Sequence, residues 1–319
     1  MIHYFIRRIL LSLLTLFLIS IATFAILKIA PGGPIDMLLF RTGGALSETV
    51  REAYVKKFGL DKPIHLQYLY WIGNTLRGDL GLRMKNSRPI TEEVAKALPN
   101  TLELMGVGLG MAVLVGIPIG IIMAIKQYSL LDYGLTVFAF VGVSIPAFFL
   151  AFFLIYVFCI RLSVLPIGGT TTPGQPWSLI NHLKHLAIPS LSLAVAEFAA
   201  TSRYARSSML EKMNAQYVTT ARSKGLAEWR VLTKHAFRTA LSPIVTMLSL
   251  RLRDLIAGTV VIETVMSWPG MGMLFMDAVS SRDFTLLMGL TLITGAAMIG
   301  ANLLADLAYA LLDPRVRYY

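Results

Sequence analysis

Three groups of side chains have the types and spacing to do chemistry. His182 and His185, in the run HLKH, are three residues apart, which brings two imidazoles to one side of a helix as a metal site would require. No third ligand lies nearby in sequence, so a surface histidine pair is preferred and no metal or cofactor is expected. Arg251, Arg253 and Asp254 stand in an otherwise apolar stretch, and Glu197 stands in another. Ionisable groups at mid-membrane depth cost several kcal/mol unless they face a cavity or a partner. Arg251 and Asp254, three apart, can pair along one helix face. Two readings stand for them: a salt bridge that fixes packing, or an arginine that lines a path and attracts a substrate carboxylate. The third group is the basic run YVTTARSKGLAEWRVLTKHAFR, residues 217–238. It cannot sit in lipid, so it projects into water, and Gly225 permits a sharp backbone turn within it.

Bond chemistry finds little support. No GxxxxGK[ST] phosphate loop occurs, so the chain lacks a P-loop with which to bind ATP. HExxH and GxSxG are also missing, and no paired-Asp or Ser/His arrangement recommends a protease.

The elements that position these groups follow from composition. Of 319 residues, 55% are hydrophobic and 15% charged, and the mean hydropathy of +0.66 excludes an ordinary soluble domain. The net charge of +11 is distributed between long apolar runs, which suits a cytoplasmic orientation beside anionic lipid better than nucleic acid. Uncharged spans at 9–27, 104–125, 133–160 and 284–305 are each long enough for a bilayer crossing, which needs about 20 helical residues. Two weaker spans, 186–202 and 241–262, carry the buried charges. Counting all six from a cytoplasmic N-terminus puts the basic segment 203–238, with eight Lys/Arg against Glu211 and Glu228, on the cytoplasmic side. The expectation is an all-α polytopic membrane protein with six transmembrane helices and both termini cytoplasmic.

The N-terminal run is too long for a secretory signal core and lacks a small-x-small cleavage site, so it reads as an uncleaved first helix. Three segments result: 1–30, the N-terminal end and first helix; 31–97, a long external loop; and 98–319, a five-helix core that includes 203–238. Within the external loop, 46–58 and 64–76 space their apolar residues as short amphipathic helices, with turns at 31–34 and 78–81. Gly106/Gly110 and Gly116/Gly120 offer four-residue small pairs for close helix packing. Pro118 and Pro146 would bend their helices. The lone cysteine, Cys159, excludes an internal disulfide and reads as a packing residue. Glu103, Glu263 and Asp306, near span ends, are expected to reach interfacial water.

Seven short stretches, in order, carry a resemblance that covers nearly the whole chain. They are APGGP at 30–34, GDLG at 78–81, LPNTLE at 98–103, SIP at 144–146, RSSM at 206–209, WPGMG at 268–272 and DPRVRY at 313–318. The chain resembles the first, B-type permease subunit of bacterial dipeptide, oligopeptide and nickel ABC importers, a MetI-like permease bundle. Within 217–238, Thr219, Thr220 and Ala221 precede Gly225 at the spacing of the cytoplasmic EAA loop of such permeases. Thr219 and Thr220 replace the usual Glu and Ala, and His235 and Arg238 stand where a broader pattern has an apolar residue and proline.

The resemblance implies an ATPase-coupling loop centred on Tyr217, Thr219, Thr220, Ala221, Arg222, Gly225 and Leu226. It implies a second homologous permease, two ABC ATPase subunits and an external solute-binding protein in the bacterial inner membrane, with 30–97 a candidate docking surface for the binding protein. Short peptides are the favoured substrate, with nickel or another small solute as the alternative. An ion-coupled secondary transporter is a further reading; it predicts inverted repeats, and none is visible. In the family the fifth helix is usually neutral, so Arg251, Arg253 and Asp254 depart from the pattern.

Overall fold

A computed structural model describes residues 2–29, 48–49, 52, 55 and 61–312, with side chains left out at 2–5, 249–258 and 304–312. The first unit comprises Met1–Pro99 with Gly270–Gly300, the second Asn100–Pro269 with Ala301–Arg317. The grouping follows packing and so cuts the chain differently from the three sequence segments. Among the described residues the one extended pairing is an isolated bridge, Leu82 with Pro89, so the architecture is all-α as expected.

In the first unit, α1 (Ile2–Ile29) packs beside α2 (Ile64–Leu76) through the rings of Phe24, Tyr68 and Trp71, and Ser20 Oγ lies 2.7 Å from the Tyr68 hydroxyl. The bounds of α2 match the amphipathic segment read from the sequence, whereas 46–58 and 31–34 fall largely or wholly outside the described residues. The first turns of α3 (Ile90–Ile125) pack with α10 (Met271–Ser280) and α11 (Phe284–Leu312) around Leu80, Ile90, Val94, Ala278, Leu286 and Leu290.

An ionic cluster locks this unit. Arg83, only 7% exposed, pairs with Asp277 and with Glu93 at 3.2 Å, and its Nε lies 4.0 Å from Asp283. Asp283 is fully buried and caps α11 by accepting from Leu286 N at 3.1 Å, while Met84 N donates to its other oxygen at 2.8 Å. Burial pushes the Asp283 carboxyl upward, against the opposing pull of these N–H groups and of Arg83.

In the second unit, the expected span 133–160 is broken. Ser129 caps α4 (Leu130–Ser144) by accepting from Asp132 N at 3.2 Å. A residue preceding proline is driven out of the helical region, so Ile145 is extended (ψ 119°) and the helix stops at Ser144. Pro146 then begins α5 (Ala147–Leu154), which continues as a π-helical stretch, Ile155–Arg161, at 97° to α4. Pro118, by contrast, lies inside a continuous α3. Against these pack α6 (Leu179–Met213) and α9 (Arg238–Val265), whose core with α5 includes Leu154, Ile188, Ile262, Met266 and Trp268.

Among the described residues, four helices are long and apolar enough to cross a membrane: Ile6–Ile29, Ile90–Ile125, Leu179–Met213 and Phe284–Leu303. The bent pair makes a fifth if it counts as one span. The sixth expected crossing is helical in α9, whose 28 residues reach about 40 Å; its three charges lower its hydropathy. The six-crossing arrangement is consistent with this set.

Helix packing corrects the glycine assignment. A Cβ on Gly106 or Gly110 would meet open space, whereas one on Gly108 would lie 3.2 Å from Leu193, on Gly116 3.2 Å from Thr201, and on Gly120 2.4 Å from the Ser202 carbonyl. The close-approach face is therefore Gly108, Ala112, Gly116 and Gly120, four residues apart and directed at α6. Small residues at 106 and 110 lie off that face.

Candidate functional site

The basic run folds as two short helices around a glycine turn. After α6 ends, Val218 N and Thr219 N donate to Ala215 O at 3.0 and 3.2 Å and start α7 (Gln216–Ser223). Lys224 N closes it onto Thr220 O at 3.1 Å, and Gly225 turns the chain with φ +73°. That conformation strains any residue with a Cβ, although a Cβ there would meet nothing within 4 Å. Glu228–Arg230 forms α8, which runs through a π-helical stretch, Val231–Phe237, into α9.

One face of this pair is braced from within. Val218, Ala221, Val231, Ala236 and Ala240 are buried together with Ala124 at the end of α3 and Met209 near the end of α6. Burying Val218 and Val231 contributes about 1.5–3 kcal/mol each. Ser208 Oγ donates to the Ala240 carbonyl at 3.0 Å, and the Tyr217 and Thr239 hydroxyls lie 2.7 Å apart. Arg222 bridges the turn, donating from Nη2 to Glu228 Oε1 at 2.7 Å. Hydrogen bonding to Arg222 holds the Glu228 carboxyl below the usual carboxylate range and raises Arg222 in turn.

The opposite face is open. Tyr217, Thr219, Thr220, Arg222, Gly225 and Leu226 are exposed. Ala221 is buried, so of the predicted loop residues it serves the brace rather than the surface. Sequence reading did not single out Trp229, which is 64% exposed and carries the Arg230 guanidinium 5.3 Å from its ring centroid. A tryptophan set in an otherwise polar run was the signal available for it. The exposed residues of this segment include Tyr217, Leu226 and Trp229 as well as the cations Lys224, Arg230, Lys234 and Arg238.

The other candidates fall elsewhere. Arg251, Arg253 and Asp254 lie along α9, their side chains outside the described residues. Glu197 is half-buried on α6. His182 and His185 are not a surface pair. His185 is buried with Nδ1 2.8 Å from the Asn181 carbonyl, and His182 has one ring nitrogen 2.9 Å from Thr170 O and the other 2.8 Å from Glu103 Oε1. Among the described residues no group of three or more His, Cys, Asp or Glu could hold a metal. Glu263 likewise does not reach water: it is fully buried and accepts from Thr101 Oγ1 at 2.7 Å. Beside it, Trp268 Nε1 donates to Asn100 O at 2.9 Å and Asn100 Nδ2 to Pro269 O at 2.8 Å. These bonds join the LPNTLE and WPGMG stretches.

Comparison with known proteins gives concordant matches. The family described as binding-protein-dependent transport system inner membrane component matches residues 116–318, and the corresponding N-terminal family matches 1–105. The oligopeptide transport system permease protein AppB of Bacillus subtilis is 40% identical over 316 residues, covering 99% of each chain. The dipeptide transport system permease protein DppB of Escherichia coli is 33% identical over 339 residues, covering 100% of this chain and 99% of its own. The glutathione transport system permease protein GsiC of Shigella flexneri is 35% identical across the full length of both. Among solved structures, an inward-facing MetNI methionine ABC transporter aligns with a TM-score of 0.59 at 14% identity. It covers 71% of this chain and 99% of that one, a likeness of fold.

Proposed function

The chain belongs to the binding-protein-dependent transport system inner membrane component family, and from that premise we propose that it forms half of a peptide path driven by partner ATPases. It is a multi-pass membrane permease subunit of an ABC importer. The observation that carries the coupling role is the helix pair at 216–238, braced inside by Val218, Ala221 and Val231 and open outside at Tyr217, Leu226 and Trp229. A short helix fixed to the ends of two long ones converts a push on its outer face into rigid-body motion of the bundle.

In this reading two ATPase subunits dock on the cytoplasmic face, one of them on 216–238, and supply all ATP hydrolysis. A second, homologous permease completes the path. An external solute-binding protein delivers substrate, with 30–97 as its docking surface, and both termini are cytoplasmic. Short peptides are the substrate class, supported by relatives named for oligopeptide, dipeptide and glutathione transport that align along the whole chain. For Arg251, Arg253 and Asp254, on α9, the reading is structural pairing rather than contact with a substrate carboxylate. Arg253→Gln that leaves uptake unchanged in a stable complex removes the contact role for that residue.

The test is co-purification of the tagged chain with its co-expressed neighbours, followed by uptake into proteoliposomes. Recovery of a second permease and two ATPases, with uptake of radiolabelled trialanine only when ATP is supplied, is expected. A chain recovered alone that transports on an ion gradient would overturn the reading.

A further inference from the structure

One ion pair in the second unit has no part in the surface just described, although it is built with more care than an exposed contact needs. Asp132, in the first turn of α4, is 2% exposed. Arg206, from the RSSM stretch of α6, grips it with both arms: Nε donates to Oδ1 at 2.8 Å and Nη2 to Oδ2 at 2.7 Å. Tyr128 N donates to the same carboxylate at 3.0 Å from a left-handed conformation, φ +61°, so the loop between α3 and α4 is shaped to the acid. A bidentate guanidinium–carboxylate pair fixes orientation as well as distance, which a single lysine contact cannot do.

Its neighbours show what that orientation serves. Towards the end of α6, Arg206 is followed by Ser208 and Met209, which hold Ala240 and the inner face of the loop helices. On another side of α6, Gly120 of α3 sits so close that a Cβ would meet Ser202 O, Ala205 Cβ and Arg206 N within 3.0 Å. The loop helices and the ends of α3 and α6 are thus tightly packed together. The remainder of α4 is attached to α6 by contacts that carry no ion pair: Phe138 edge-on to Phe198, Ala139 against Ala199, Gly142 beside Val195, and the Arg203 guanidinium 5.1 Å from the Phe140 ring centroid. At its far end α4 breaks at Ile145–Pro146 into α5.

We propose that Asp132 and Arg206 are positioning residues that form a transmission joint, carrying a displacement of the 216–238 loop through α6 to α4, with the break at Ile145–Pro146 as the pivot. The inference rests on the ATP-driven reading above. Without the joint, α6 moves with the loop and α4 slips along its remaining, less directional contacts.

The experiment uses the complete complex in lipid nanodiscs, in a Cys159→Ser background, with spin labels at Glu211→Cys on α6 and Gly134→Cys on α4. Distances are read without nucleotide and with vanadate-trapped nucleotide, so no substrate is needed. With the pair intact, the two states give one distance. In Asp132→Asn, trapping shifts or broadens it by about 5 Å, the scale of one element ratcheting past another. Trialanine uptake per ATP hydrolysed also falls about fivefold or more. The charge exchange Asp132→Arg with Arg206→Asp restores the ratio, which general loss of packing would not allow. If Asp132→Asn fails to assemble, Arg206→Lys decides, since it keeps the charge and loses the bidentate grip. An unchanged distance and an unchanged ratio in an assembled variant overturn the joint. Absence of ATP-driven uptake by the unaltered complex counts instead against the peptide reading.

Discussion

The cluster around Arg83 and the loop at 216–238 are both rich in charge, yet they use it in opposite ways. In the cluster, Arg83 and Asp283 are buried and directed at one another's surroundings, with Glu93 and Asp277 completing the set. In the loop, Lys224, Arg230, Lys234 and Arg238 are exposed, and the buried groups are small aliphatics. Burial raises the Asp283 carboxyl, whereas a neighbouring cation lowers that of Glu228. Charge in the first region holds residues far apart in sequence together; charge in the second stands exposed at the surface.

The sharpest way to break this comparison is to remove one cation from each region. Arg83→Met leaves the buried Asp283 without its counter-charge, and breaking a buried pair this way costs about 3–5 kcal/mol. Thermal denaturation in detergent should show a large fall in midpoint and a low yield. Lys234→Met, at an exposed position, should stay within about 0.5 kcal/mol. Equal effects from the two substitutions would end the distinction.

Next in size is the turn of the loop. In Gly225→Val the new Cβ meets no atom within 4 Å, so the cost expected is that of the backbone conformation, about 1–3 kcal/mol for a non-glycine residue held in a sparsely populated region. The cost falls locally: the global midpoint should hardly move, while trypsin cleavage after Lys224 accelerates and ATPase recovery declines. Trp229→Ala is gentler still. It removes an exposed side chain, so stability is unaffected, but affinity for the ATPases should drop about tenfold, the loss of a modest interface anchor. Sedimentation of the complex against ATPase concentration measures it. An unchanged affinity would remove Trp229 from the surface.

How much of this was legible in the sequence follows from the range of each interaction. The α2 helix and the glycine turn at 225 are local, set by apolar periodicity and by one backbone conformation, and both were readable. The Arg83–Asp277 contact joins residues 194 apart, and no periodicity marks it. The packing face of α3 failed for a different reason: several glycines share four-residue spacing, and only the approach of Ser202 and Thr201 selects Gly116 and Gly120 over Gly106 and Gly110. His185 and Glu263 were expected near water because hydropathy counts a polar side chain as a cost, and it cannot see the Asn181 carbonyl or the Thr101 hydroxyl that satisfies it. In the loop, spacing located the segment but did not separate Ala221, which faces inward, from Thr220, which faces outward.

The smallest expected effect concerns a charge pair within the loop itself. Arg222 and Glu228 close the turn around Gly225, and the Glu228 pKa is lower folded than unfolded. Whatever the pair contributes is therefore fully present above the ordinary glutamate value of about 4.3 and is lost as pH falls through the folded value. Both side chains are exposed, so salt should screen the pair strongly. Amide-exchange protection at Lys224–Ala227 should fall as the medium is acidified below that value, and high salt at neutral pH should reproduce part of the fall. Glu228→Gln should remove both dependences while leaving ATPase recovery nearly intact, because the proposed docking role rests on the exposed Tyr217, Leu226 and Trp229. If Glu228→Gln releases the ATPases as fully as Gly225→Val does, the pair belongs to the docking surface, and the loop's charges are less free than their exposure implies.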